Sequence, residues 1–155
     1  MGKPLRDVVA DDLDVLFCGI NPSLMSAERG HHFARPGNRF WPALHGAGFT
    51  PRRLRPDEQH LLPALGLGIT NIVARATARA DELSSAELVA GGRRLRELVD
   101  LWGPAAVGVV GITAYRAAFA SPRHSRGRAP SRSSCSRSSA GQGSPRNRTT
   151  SSPRS

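Results

Sequence analysis

The chain has little of what marks several large functional classes. Its 155 residues hold two cysteines, Cys18 and Cys135. No CxxC or Cys/His spacing suggests a zinc site or a disulfide framework. No apolar run approaches the ~20 residues needed to cross a bilayer as a helix. The segment Met1 to Asp14 alternates charge with short apolar residues and lacks the apolar stretch of a secretory signal. A reducing cytoplasm is the compartment these absences imply. Aromatics make up only 5% of the chain, and Phe33, Phe40, Trp41 and Phe49 fall close together. Large side chains therefore matter most in that stretch.

Acidic residues are missing from one region altogether. The net charge is +10, and eight arginines without a single Asp or Glu follow Ala120, which leaves +2 (10 − 8) for the first 120 residues. A charge of that size points to a polyanionic partner, nucleic acid above all. Its distribution makes the signal a property of the tail. From Ser121 the chain is Ser/Arg/Pro-rich with nothing able to build a core, and it is predicted to be disordered over 121–155.

The remaining ~120 residues suit one domain. Asp14 to Ile20 is a short apolar run closed by Asn21-Pro22, which predicts a buried strand leaving its sheet at a turn. Residues 23 to 37 show no periodicity and predict a long loop, a feature that tends to be functional. Asn38 is placed to cap a helix reaching about Gly46, and Asp57 one carrying Leu61, Leu62 and Leu65. Gly68 to Val73 predicts a second strand and Ala105 to Gly111 a third. Ser84-Ser85-Ala86-Glu87 is a capping-box pattern opening a helix that carries Leu88, Leu95, Leu98 and Val99. A last helix is expected from Thr113 to about Ala120. Apolar strands alternating with helices argue for an α/β fold with a short parallel sheet covered on both faces. Ligands of such sheets bind beyond the carboxyl ends of the strands, where Asn21 and Asn71 fall.

Gly19-Ile20-Asn21-Pro22-Ser23-Leu24 is the first candidate for chemistry. A glycine there admits a ligand close to the backbone. A rigid Asn offers an acceptor and a donor. It cannot serve as a strong general base, but it can hold a water. The second candidate is Phe33-Ala34-Arg35-Pro36-Gly37-Asn38-Arg39-Phe40-Trp41. Phe33, in the loop, suits stacking on a planar base, whereas Phe40 and Trp41 read as core. Adjacent loop histidines such as His31 and His32 rarely face one metal together. Arg93, Arg94 and Arg96 read as a solvated helix face, and Cys18 as a small buried hydrophobe.

Taken in order, GINPSL, FARPGNRFW, GITNIVARAT (68–77), ELVAGGRRL (87–95) and AVGVVGITAY (106–115) resemble the mismatch-specific uracil/thymine DNA glycosylases. The resemblance spans roughly Asp14 to Phe119. It implies a three-layer uracil-DNA glycosylase fold and removal of uracil or thymine from G/U and G/T mismatches by hydrolysis of the N-glycosidic bond, without strand cleavage. Asn21 would position the attacking water. Ile20 through its backbone, Ser26, Phe33 and Asn71 would form the base pocket, with Phe33 stacked on the base and Ser26 tuning uracil against thymine. Arg35, Asn38 and Arg39 would touch DNA. The resemblance implies no metal or organic cofactor. It also implies a monomer acting on double-stranded DNA in a bacterial cytosol, at the nucleoid rather than at a membrane.

Members of that family continue into a further strand and a Pro-Asn-Pro-Ser-Gly-Leu-like loop that enters the DNA. Neither is recognisable after Phe119, so a frameshifted terminus is expected. Loss of that strand would leave residues 105 to 110 as an open apolar edge. Weak or absent glycosylase activity is expected in consequence. The rival readings are an inactive remnant that binds nucleic acid non-specifically through its Arg-rich tail, and a small-molecule-binding α/β domain.

Overall fold

The computed structural model of the protein describes residues 4–119. The expectations for the tail, including Cys135, its disorder and the frameshifted terminus, lie outside the described residues. Within them the chain runs β1 (Val15–Gly19), α1 (Leu24–Arg29), α2 (Phe40–Gly46), two 3-10 turns (Pro56–Leu61 and Pro63–Leu65), β2 (Leu67–Asn71), a third 3-10 turn (Ala80–Glu82), α3 (Ser85–Trp102), β3 (Ala106–Val109) and α4 (Ile112–Ala118). The three strands form one parallel sheet in the order β2-β1-β3.

The sheet reflects side-chain alternation. On β1, Leu16 and Cys18 are fully buried toward one face, where Ile72, Leu88, Leu95 and Ala118 complete a core under α3 and α4. Val15 and Phe17 point the other way, toward Phe40, Trp41, Leu44, Leu62, Leu67 and Ile69. A two-residue period thus serves two cores, and the result is helix, sheet, helix in three layers. The outer edge of β2 is closed by Val8, which exchanges both backbone hydrogen bonds with Ile69 at 2.8 Å. Among the described residues the other edge is β3, and Val107 and Val110 on or beside it are both 38% exposed.

The best-specified element is α3. Ser84 Oγ accepts from the Glu87 N–H while the Glu87 carboxylate accepts from the Ser84 N–H, and Gly103 ends the helix in a left-handed conformation. Its two adjacent glycines have a packing reason. A Cβ on Gly91 would stand 2.2 Å from the Ile72 carbonyl oxygen, and one on Gly92 2.7 Å from that of Ala118. Only bare backbone lets α3 lie so close to the end of β2 and to α4.

Several boundaries differ from expectation. The predicted loop 23–37 contains α1, capped by Ser23 Oγ accepting from the Ser26 N–H and closed by Gly30 at φ +70°. At six residues it is too short to show an apolar stripe. Asn38 lies one residue before the N-cap of α2, which is Arg39, yet its Oδ1 still accepts from the Phe40 N–H at 2.8 Å. The helix expected from Asp57 is a pair of 3-10 turns. Pro56 opens the first, Glu58 accepts from the Arg55 N–H, and Pro63 opens the second, so no continuous α-helix can form across the two.

Candidate active site

Parallel pairing sets Gly19 of β1 directly beside Asn71 of β2. Both strands end there, and a pocket of about 250 Å³ opens beyond them. Ile20, Asn21, Ser26, Phe33 and Asn71 all line it, with Arg35 and Asn38 at its margin. Arg39 does not; it is exposed at the start of α2. No carboxylate lines the pocket among the described residues.

Asn21 is clamped in one orientation. Its Nδ2 donates to the Arg75 carbonyl at 2.9 Å and to Thr77 Oγ1 at 2.8 Å. Both amide hydrogens are thereby used, and Oδ1 is left as the free acceptor. The clamp is itself held. Thr77 Oγ1 donates to the Arg79 carbonyl at 2.6 Å, the Thr77 N–H donates to the Pro22 carbonyl, and the Arg75 guanidinium pairs with Glu87 at 2.7 Å. The capping box of α3 therefore also anchors the loop that fixes Asn21. Thr77 and Arg75 were not singled out from sequence, although Thr77 closes the GITNIVARAT stretch.

Phe33 is held differently. Its φ of +53° is unusual for a bulky side chain and stores strain that the surrounding structure must sustain. The ring stacks on Phe40 with centroids 4.1 Å apart and planes 24° apart. It also reaches over Gly19, where an added Cβ would meet Phe33 Cζ at 3.2 Å and Asn71 Oδ1 at 2.6 Å. Glycine at 19 is what allows Phe33 and Asn71 to share one pocket. Phe40 and Trp41 are core, as expected.

Ser26 is 2% exposed, and its hydroxyl bonds Ser23 Oγ at 3.0 Å and accepts from the Ala34 N–H at 3.1 Å. It fastens α1 to the Phe33 segment at the pocket wall. The Ile20 carbonyl is committed to the Val73 N–H at 2.9 Å.

Two residues do more than their sequence context implies. His32 lies in a loop, as expected, and there it is 1% exposed and lines the pocket. Its N–H donates to Gln59 Oε1 at 2.7 Å, its carbonyl accepts from Trp41 Nε1 at 3.2 Å, and its ring bridges Arg6 and Asn71. Burial pushes its imidazole below the ordinary histidine range, against the opposing pull of the Arg6 carbonyl and Asp7. Arg94 is not simply a solvated residue. It pairs with Asp7 and donates to the Asn71 carbonyl at 3.0 Å, while Asp7 accepts from Thr70 Oγ1 at 2.8 Å. A polar network thus braces β2 from behind the pocket. The Cys18 thiol is fully buried and pushed up to about 12 by that burial, so it is inert as a nucleophile.

The arrangement offers a fixed carbonyl acceptor, an aromatic face, a second amide and a basic margin, without an acid or a charged base. It can orient a water and hold a flat polar ring. A family model described as the uracil DNA glycosylase superfamily matches residues 6–153, a span that includes every candidate site residue named above.

Proposed function

The chain belongs to the uracil DNA glycosylase superfamily, and we propose that within it this protein removes uracil, or thymine, from G/U and G/T mismatches in double-stranded DNA. The observation that carries the reading is the clamp on the Asn21 side chain, which uses both Nδ2 hydrogens and leaves Oδ1 without a partner among the described residues. A water held by that oxygen would attack the sugar. Its oxygen bonds to C1′, the C1′–N1 bond breaks with its electron pair leaving on the pyrimidine, and the water's proton passes to solvent or the departing base. Phe33 supplies the stacking face, Asn71 and Ser26 polar contacts in the pocket, and Arg35, Asn38 and Arg39 the contacts to phosphate.

The preference for mismatches rests on extrusion. A base must leave the stack before it reaches a pocket of this size, and a mispaired base costs least to extrude. An amide in place of a carboxylate gives little electrostatic help to the cationic sugar, so turnover is slow. Lyase chemistry through an imine needs an amine. The sequence holds a single lysine, Lys3, and that scarcity of side-chain amines supports a monofunctional hydrolase.

The residues after Ala120 contain no apolar stretch that could act as a wedge in the duplex. Base flipping then lacks compensation for unstacking, on the order of a few kcal/mol, and activity is weak. The test is single-turnover incubation, enzyme in excess, with duplexes carrying one G·U, G·T or A·U pair, analysed with and without alkali. Strand breaks only after alkali, fastest from G·U, support the reading. Equal cleavage of G·U and A·U overturns the mismatch preference, and breaks without alkali overturn monofunctionality.

The arginine-rich tail favours a second reading, in which the protein is an inactive remnant that binds nucleic acid without regard to sequence. Salt-sensitive binding with no abasic product would establish it.

A further inference from the structure

Nothing in the proposed chemistry uses the His32 ring, yet contacts to Gln59, Trp41, Arg6 and Asn71 hold the residue in place. Its backbone is pinned by Gln59 on one side and Trp41 on the other. Ring Nε2 lies 2.9 Å from the Arg6 carbonyl oxygen. A carbonyl can only accept, so Nε2 must carry the hydrogen. In the neutral ring Nδ1 is then a bare acceptor. It faces Asn71 Nδ2 at 3.3 Å. The Asn71 amide cannot turn over, because that would set Oδ1 against the Nδ1 lone pair. Oδ1 and the second Nδ2 hydrogen have no partner among the described residues and belong to a side chain that lines the pocket.

We propose that His32 is a positioning residue for base selection: the Arg6 carbonyl sets its tautomer, and the tautomer locks the Asn71 amide with acceptor and donor in one order. This inference rests on the glycosylase reading above. The locked order matches a lactam edge, where the N3–H of uracil or thymine donates to Oδ1 and O4 accepts from Nδ2. Cytosine presents the reverse, an acceptor at N3 and a donor at N4, and would pair with the amide only after a flip. A site that hydrogen-bonds its ligand in a fixed sense rejects the analogue that leaves its buried groups unpaired.

The charged and titratable groups near His32 are Asp7, itself paired with Arg94 of α3, and the adjacent His31. α2, the first 3-10 turn and β2 present Trp41, Gln59 and Asn71 to it, none of which titrates in the range used. Burial keeps the ring neutral near pH 7. Protonation at lower pH would put a hydrogen on Nδ1 and turn the amide.

Two measurements on the full chain test the lock. The first is two-bond 1H–15N correlation of the histidine rings by NMR. It is expected to show His32 protonated at Nε2 only, with the Asn71 side-chain amide signals shifting as His32 titrates; an Nδ1–H tautomer overturns the proposal. The second is single-turnover excision of uracil and of cytosine, each placed opposite an abasic analogue so that neither is paired. His32→Ala is expected to lower the uracil-to-cytosine rate ratio by about tenfold or more, the effect of one orienting hydrogen bond. In the wild type the ratio is expected to fall as pH drops through the His32 titration, and in His32→Asn, which cannot titrate, to stay flat. Rates that fall together at an unchanged ratio, with parallel pH curves in wild type and His32→Asn, reduce His32 to a structural role and overturn the proposal. No uracil excision at all by folded wild type sinks the glycosylase reading and base selection with it. The NMR result then still decides whether His32 locks Asn71.

Discussion

Thr77→Val replaces a hydroxyl with a methyl of nearly the same volume and so isolates the clamp on Asn21. Thr77 is 4% exposed, and its Oγ1 accepts from Asn21 Nδ2 at 2.8 Å while donating to the Arg79 carbonyl at 2.6 Å. Valine removes both bonds. Each contributes on the order of 1 kcal/mol, and the Arg79 carbonyl and one Asn21 hydrogen lose a partner as well. A total near 2 kcal/mol lowers Tm by roughly 8–16 °C if the domain responds like others of about 100 residues. The catalytic consequence is separate. With the Arg75 carbonyl as its remaining partner, the Asn21 amide can rotate, and Oδ1 no longer points to one place. The single-turnover rate on a G·U duplex is expected to fall by about ten- to a hundredfold, in line with about 1–3 kcal/mol of lost positioning, with little change in DNA affinity. Thr77→Ser keeps the oxygen and is expected to restore most of the rate. Equal rates for Thr77→Val and Thr77→Ser, measured below their melting temperatures, would refute the reasoning.

Gly91→Ala forces a Cβ to 2.2 Å from the Ile72 carbonyl, so α3 must shift; a loss of about 1–3 kcal/mol is expected by urea unfolding. A substitution as stable as wild type would mean that α3 does not pack as described. His32 has a folded-state pKa depressed below 6.5, so its proton is bound more readily in the unfolded chain. Its share of stability is therefore present above pH 6.5 and lost as pH falls toward its folded value. Melting temperature is expected to drop over that window, and less so in His32→Asn; coincident curves would contradict the assignment. The eight arginines after Ala120 are expected to dominate the salt dependence of duplex binding. Deleting residues 121–155 should flatten the slope of log K against log salt by several units, since each neutralised phosphate contributes about 0.9. An unchanged slope would place the phosphate contacts elsewhere.

The parts of the fold that were legible in sequence have local causes. β1 is a continuous apolar run ended by a proline, and α3 carries a capping box, a helical apolar stripe and a terminal glycine. Once two parallel strands are read, Gly19 and Asn71 fall side by side at their carboxyl ends, and most of the candidate pocket comes with them. The features that escaped depend on longer-range contacts. α1 is stabilised by the Ser23 cap and by Ser26 holding Ala34, contacts that leave no periodic trace over six residues. The Ser23-x-x-Ser26 spacing was the available signal. His32 carries no local signal beyond its place beside His31, because its importance depends on Arg6, Gln59 and Asn71, separated from it by 26, 27 and 39 positions. Arg94 reads as surface from helical spacing alone. Its neighbours Asp7 and the Asn71 carbonyl are visible only when the sheet is assembled.

Asn21 carries the central claim, and single-turnover cleavage of a labelled G·U duplex by the full chain and by Asn21→Ala, followed by alkali, tests it most directly. The account expects slow but measurable abasic product from the wild type and its loss in Asn21→Ala, with both proteins equally folded and binding DNA alike. Product at the same rate from Asn21→Ala would remove Asn21 from the chemistry. No product from a folded wild type would leave a superfamily member that keeps the pocket and lacks the activity.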